Sequence, residues 1–207
     1  MAEIGLFPLE LVLVPTERVP LHIFEPRYRE LIGECVDEER EFGLVLEDSE
    51  GMRTIGTSTA VVEVTERFDD GRFNIVAEGR SRFRVVELTE GRSFVTAEVE
   101  PVEDDQEEAP TQQDVEHALG RFRRLVEIAD AEEVDEPTPD SPLLSFELAA
   151  RVDFGHLLKQ ELLEARSERE RLQQLVRLLD RAAAAITRER EVRTRAAGNG
   201  RVTPSHQ

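Results

Sequence analysis

The hydrophobic period of the chain changes about half-way along. In the first half, apolar residues alternate with polar ones in short runs, the pattern of half-buried strands. Leu9, Leu11 and Leu13 alternate with Glu10, Val12 and Val14, which predicts a strand buried on at least one face. Pro15 and Pro20 bracket a polar turn, because proline removes a donor from the ladder, and residues 21–24 read as a second short extended run. Pro26 suits a first helical position, and Tyr28, Leu31, Ile32, Cys35 and Val36 then fall on one helical face. Further strands are predicted over residues 42–47, 55–65, 73–77, 83–89 and 94–102. Between them lie the turns 48–51, 69–72 and 90–92 and a break or bulge at 79–81; Asp70-Gly71 is a hairpin signal. Some six or seven short strands with tight turns and one early helix suggest a small closed or partly closed barrel.

Residues 101–111 are strongly acidic, with Glu103, Asp104, Asp105, Glu107 and Glu108, and read as a solvated linker. Beyond them the period becomes helical. Val115, Leu119, Phe122, Val126 and Ala129 mark one helix, and residues 131–140 a loop. Ser141-Pro142 opens a second helix by cap and first-position proline. Asp153 can cap a third, and Ser167 with Glu170 forms a capping box for a long last helix. The inner face of that helix is Leu172, Leu175, Val176, Leu179, Ala183 and Ile186. The expected organisation is α+β: a β-rich part over residues 1–102, the linker 103–111, a helical bundle over 112–190, and a disordered tail over 191–207, where apolar periodicity is lost.

Five stretches stand out in order: the opening run LFPLELVLVPTERVPLHIFEPRY at residues 6–28, Phe42-Gly43-Leu44-Val45, Ile55-Gly56-Thr57, Ile75-Val76-Ala77-Glu78-Gly79-Arg80 with Arg82-Phe83, and Lys159-Gln160-Glu161-Leu162-Leu163-Glu164. Together they resemble the N-terminal substrate-binding domain of Lon-type proteases. The resemblance covers residues 5–185. It implies a PUA-like β pseudo-barrel, a type shared with certain RNA-binding modules, and a role in binding polypeptides. Lon proteases also carry an ATPase and a serine–lysine peptidase. A phosphate loop needs Gly-Lys before Ser or Thr, and the single lysine, Lys159, stands between Leu158 and Gln160 on what reads as a surface-rich helix. A stand-alone recognition module is therefore expected.

Composition narrows the function further. A formal charge of −19 over 207 residues opposes a nucleic-acid partner, which needs a dense cationic footprint. One cysteine, Cys35, excludes an intrachain disulfide, and its place on an apolar helix face reads as a buried thiol. No apolar run reaches the length of a membrane span and the N-terminus lacks a leader pattern, so a cytoplasmic location is expected. His22, His117, His156 and His206 are scattered, with no zinc spacing; His22, among apolar residues, reads as a hydrogen-bonded structural histidine. No nucleophile elbow or glycine-rich dinucleotide loop is present. The expectation is a non-enzyme with no cofactor and no metal.

What remains is binding. Candidates are Phe24, Arg27 and Tyr28 at the start of the first helix, and Phe68 and Phe73 flanking the predicted hairpin. For Phe24 and Tyr28 a core position is the stronger reading. Phe68 and Phe73 are the better candidates for exposed aromatics, since a side chain at a turn tip has little core to enter. The expected partners are unfolded or extended polypeptides, or a partner protein, held by apolar patches and by strand addition at sheet edges. The alternative is an RNA-binding module on the same barrel, which would require Arg80, Arg82, Arg84 and Arg92 to cluster on one face.

Overall fold

The structure is a computed structural model that describes residues 2–105, 109–131 and 134–199. The elements run β1 (Ala2–Leu9), β2 (Arg18–Ile23), α1 (Pro26–Asp37), β3 (Phe42–Asp48), β4 (Gly51–Arg67), β5 (Phe73–Thr89), β6 (Thr96–Pro101), α2 (Gln112–Ala129), α3 (Leu144–Ala149), α4 (His156–Glu164) and α5 (Glu168–Asn199). The sheet order is β2-β5-β4-β3-β1-β6, and β6 also pairs with β5. That second pairing closes five strands into a barrel and leaves β2 as an added strand on the first half of β5. Closure uses length: β5 gives its first half to β2 and its second half to β6, and β1 gives its start to β6 and its end, in parallel, to β3.

The strand expected over residues 9–14 is corrected. β1 ends at Leu9, and the following run is extended but lies outside every ladder. Its alternation is genuine, because both faces are buried against different cores. Leu11 and Leu13 pack with α1 and the barrel, while Val12 and Val14 pack with the helices. Its backbone is satisfied from elsewhere: Thr57 donates to the Leu13 carbonyl at 2.5 Å, the Val14 amide donates to the Glu17 carboxylate at 3.1 Å, and the Thr16 amide donates to the Gly79 carbonyl at 2.9 Å. Gly79 is required at this crossing, since a Cβ there would stand 2.3 Å from the Val14 carbonyl oxygen.

The helical part is bound to the barrel by a core and by ions. Val12, Val14, Leu46 and Ile55 belong to the same apolar cluster as Phe122, Phe146, Leu172 and Leu179. Arg171 of α5 is fully buried, with its guanidinium on Asp104, Glu168, the Ser145 hydroxyl and the Ala165 carbonyl. Arg82 of β5 reaches the Leu163 and Ala165 carbonyls at 2.9 and 2.6 Å and shares Asp104. Both guanidinium groups face the Phe146 ring, at 5.3 Å for Arg82 and 4.4 Å for Arg171.

Three expectations are thereby corrected. Asp104 is no part of a solvated linker, because two buried arginines require its charge; residues 106–108 lie outside the described residues. Lys159 is buried rather than on a surface-rich face, its amine bonded to Glu17 across the same interface. The tail expected to be disordered from residue 191 is helical as far as Asn199, and residues 200–207 lie outside the described residues. Extending a helix already nucleated needs only good helix formers, and Glu189–Arg193 and Glu191–Arg195 add i,i+4 pairs.

Candidate functional site

The alternation of β2 sets the site. Val19, Leu21 and Ile23 turn toward the core shared with α1, which sends Arg18, Pro20 and His22 outward. His22 lies opposite Asn74 of β5, and Asn74 lies opposite Glu66 of β4. A carboxylate can only accept, so the Asn74 amide nitrogen donates to Glu66 at 3.0 Å and its oxygen faces His22 Nδ1 at 2.6 Å. This relay orients the imidazole, with Nδ1 donating to the Asn74 oxygen.

Two phenylalanines meet that ring. Phe24 stacks on it at 5.9 Å and 19°, and Phe68 meets it edge-on at 5.9 Å and 79°. Phe24 is 57% exposed, because Ile23 takes the inward position just before the chain turns into α1. Phe68 is half-buried at the base of the β4–β5 hairpin, where its amide donates to the Arg72 carbonyl at 2.9 Å and its carbonyl accepts from Gly71 at 3.0 Å. Gly71 has φ of 84°, as the turn requires. Arg72 lies over the outer side of Phe68 at 5.2 Å and is held by Asp70 at 2.8 Å. The Arg72 backbone amide, then its guanidinium, holds the Asp70 carboxyl below its ordinary range. Arg29 of α1 donates to the Asp70 carbonyl at 2.6 Å, tying the hairpin to the helix. The result is a held aromatic cluster at the surface, continued along the sheet by Pro20 and half-buried Val76.

Of the five flagged side chains, Phe24 and Phe68 meet in this cluster through His22. Arg27 is exposed beside it in sequence, bonded to Glu25 at 3.0 Å and 4.4 Å from the Tyr28 ring. Phe73 is corrected, being 5% exposed and in the α1–barrel core; Tyr28, also 5% exposed, lies in that core where the stronger reading put it, whereas Phe24, read the same way, is on the surface. Tyr28 packs 4.1 Å from Phe7, and burial pushes its phenol pKa up. Phe73 is the first paired residue of β5 and points inward with Ile75 and Ala77, so the hairpin tip ends before it. His22 is hydrogen-bonded as expected, but it stands on the exposed face; the signal for that was the alternation with Val19, Leu21 and Ile23.

The arginines that would mark an RNA face do not form one. Arg82 is buried, Arg80 pairs with Glu78 at 2.6 Å, Arg84 faces Glu100 at 3.9 Å, and Arg92 pairs with Glu34 on α1. Among the described residues no group of His, Cys, Asp and Glu is placed to hold a metal ion, and no helix is long and apolar enough to cross a membrane.

The family model described as the ATP-dependent protease La (LON) substrate-binding domain matches residues 3–181. The chain belongs to this family. Curated relatives include the Lon protease of Anaeromyxobacter dehalogenans, 28% identical over 192 residues, and Lon protease 2 of Myxococcus xanthus, 29% identical over 194. Each alignment covers 82% of this chain and 22% of the relative, so the chain spans about a fifth of their length. Among solved structures, a Lon N-terminal domain protein from Xanthomonas campestris superposes with a TM-score of 0.65 at 25% identity, covering 85% of this chain and 98% of that one. The N-terminal domain of a Mycobacterium avium complex Lon protease, at 16% identity, shares the fold with a TM-score of 0.69, covering 86% and 98%. The α+β architecture read from the sequence is that of these Lon domains.

Proposed function

We propose that this Lon-family domain binds extended or unfolded polypeptide segments in the cytoplasm, through the surface built by Phe24, His22 and Phe68, and catalyses no reaction itself. The observation that carries the reading is the stacked, hydrogen-bond-fixed ring cluster with Phe24 more than half exposed. Rigid aromatics at a surface supply large contact area at low ordering cost, which is why such residues dominate binding energies. The net charge of −19 favours basic or neutral clients over acidic ones. The relatives' family description, a substrate-binding domain, supports the same role.

The test is fluorescence anisotropy with a reduced, carboxymethylated and permanently unfolded polypeptide as probe. Saturable binding is expected, weakened about tenfold or more in the Phe24→Ala/Phe68→Ala double variant, in line with the cost of truncating interface aromatics. Unchanged affinity in that variant, or binding of a single-stranded RNA probe in place of the polypeptide, overturns the reading.

A further inference from the structure

β4 is paired on both sides only as far as Thr59. Phe42, the first residue of β3, lies opposite Thr59, and the chain before it turns away toward α1. From Ala60 onward β4 pairs with β5 alone, and among the described residues no strand meets its other edge. Along that edge runs a groove of about 710 Å³. One wall is the end of α1 with residues 39–41; the other is made by the five consecutive residues 60–64. Successive side chains of a strand leave on opposite faces, so five in a row border one groove only where it follows the backbone edge itself.

Open strand edges are normally covered, or blunted by proline or lysine. The free edge of β2 carries Pro20, whereas residues 59–65 of β4 read Thr-Ala-Val-Val-Glu-Val-Thr, strongly β-favouring and without proline or lysine. Register shifts between Val61 and Glu63 and between Val64 and Glu66 bend this edge. Bends of that kind disfavour pairing with a long flat sheet and leave room for a short segment. The charges at the groove are one-sided. Arg40 and Arg80 are paired with Glu38 and Glu78, while Glu39, Glu41 and Glu63 have no ion-pair partner among the described residues.

We infer that the free edge of β4 seats an extended peptide of about four or five residues by main-chain pairing, with preference for β-branched residues alternating with lysine or arginine. The valines of the groove take the first kind of side chain and the unpaired carboxylates the second. The inference rests on the polypeptide-binding reading and places part of the client's backbone away from the aromatic cluster. The two sites are continuous in one direction, since β4 runs from this edge toward Phe68 at the hairpin.

The test titrates the ¹⁵N-labelled full chain with a capped Lys-Val-Lys-Val-Lys peptide, and with the same peptide N-methylated at alternate amides. Shifts and slowed amide exchange are expected at residues 60–64. N-methylation should abolish them, and Glu41→Arg/Glu63→Arg should weaken binding about tenfold, as for reversal of rim charges. Equal binding of the methylated peptide, shifts confined to His22, Phe24 and Phe68, or no binding of the peptide while the unfolded probe still binds, overturns the edge site and leaves the polypeptide-binding reading standing. Failure of the unfolded probe to bind as well overturns both.

Discussion

The most consequential single residue is Arg171, a guanidinium with no exposed surface whose partners come from three different segments. Burial alone would lower its pKa, but Asp104 and Glu168 outweigh burial and raise it, so it stays charged. Removing one member of a buried ion cluster strands the others, and Arg171→Met should cost about 3–5 kcal/mol in urea unfolding. Asp104 follows the mirror logic: burial pushes its pKa up, and the two arginines more than reverse this and hold it low. Asp114 shows the same sign at a helix start. Thr111 and Gln173 donate to its carboxylate and bring its pKa down to about 2, completing a capping box for α2. A folded-state pKa below the unfolded value near ~3.9 contributes stability that is complete above about pH 4 and fades as pH falls toward 2. Thr111→Ala should cost about 1 kcal/mol at neutral pH and flatten that acid limb, measured by chemical denaturation from pH 2 to 6. Cys35 moves the other way, its thiol pushed up to about 11 by burial and then by Glu34. It should resist maleimide in the native state and react at once in denaturant.

At the scale of elements, the run from Glu10 to Val14 separates what a pattern contains from what a fold does with it. Period 2 establishes that the segment is extended, and it is; it says nothing about whether a neighbouring strand exists to pair with. Here each face meets a different core, so Val12→Ala and Leu13→Ala should both cost upwards of about 1.5 kcal/mol, where a strand with one wet face would be sensitive at only one of them. The same reasoning separates the legible from the illegible elsewhere. The helix faces, the hairpin at Asp70-Gly71 and the closing of strands into a barrel were legible because each is local or follows from strand count. The partners of Arg82, Asp104 and Lys159 were not, because an acidic run looks solvated until the buried arginines that need it are placed in space. Phe68 was legible as a turn aromatic, while Phe73, five residues on, was already inside the next ladder. The glycines of the family-like stretches become intelligible here too. Gly79→Ala would drive a methyl into the Val14 carbonyl, and overpacking of that kind should cost about 1–3 kcal/mol.

At the scale of the whole molecule, the question is whether the barrel and the helices are two cooperative units or one. Composition and period divide the chain near residue 102, yet the apolar cluster that stabilises the helices recruits Val12, Val14, Leu46 and Ile55 from the barrel side. The ion cluster then adds a second dependence, because Arg171 on α5 and Arg82 on β5 share one aspartate. If the helices separated, they would expose that apolar surface and leave several charges without partners, which costs more than a marginally stable bundle can offset. The two halves should therefore melt together. The chain supplies its own probe for this, having no tryptophan and a single tyrosine. Tyr28 sits in the core between α1 and the barrel, so its fluorescence reports the β-rich half, while ellipticity at 222 nm is dominated by the helices. Coincident urea transitions by the two signals are the expected result. A tyrosine transition displaced from the helical one would mean that the interface, for all its burial, couples the halves only weakly. In that case Arg171→Met should shift the helical transition alone, and the same two signals would show it.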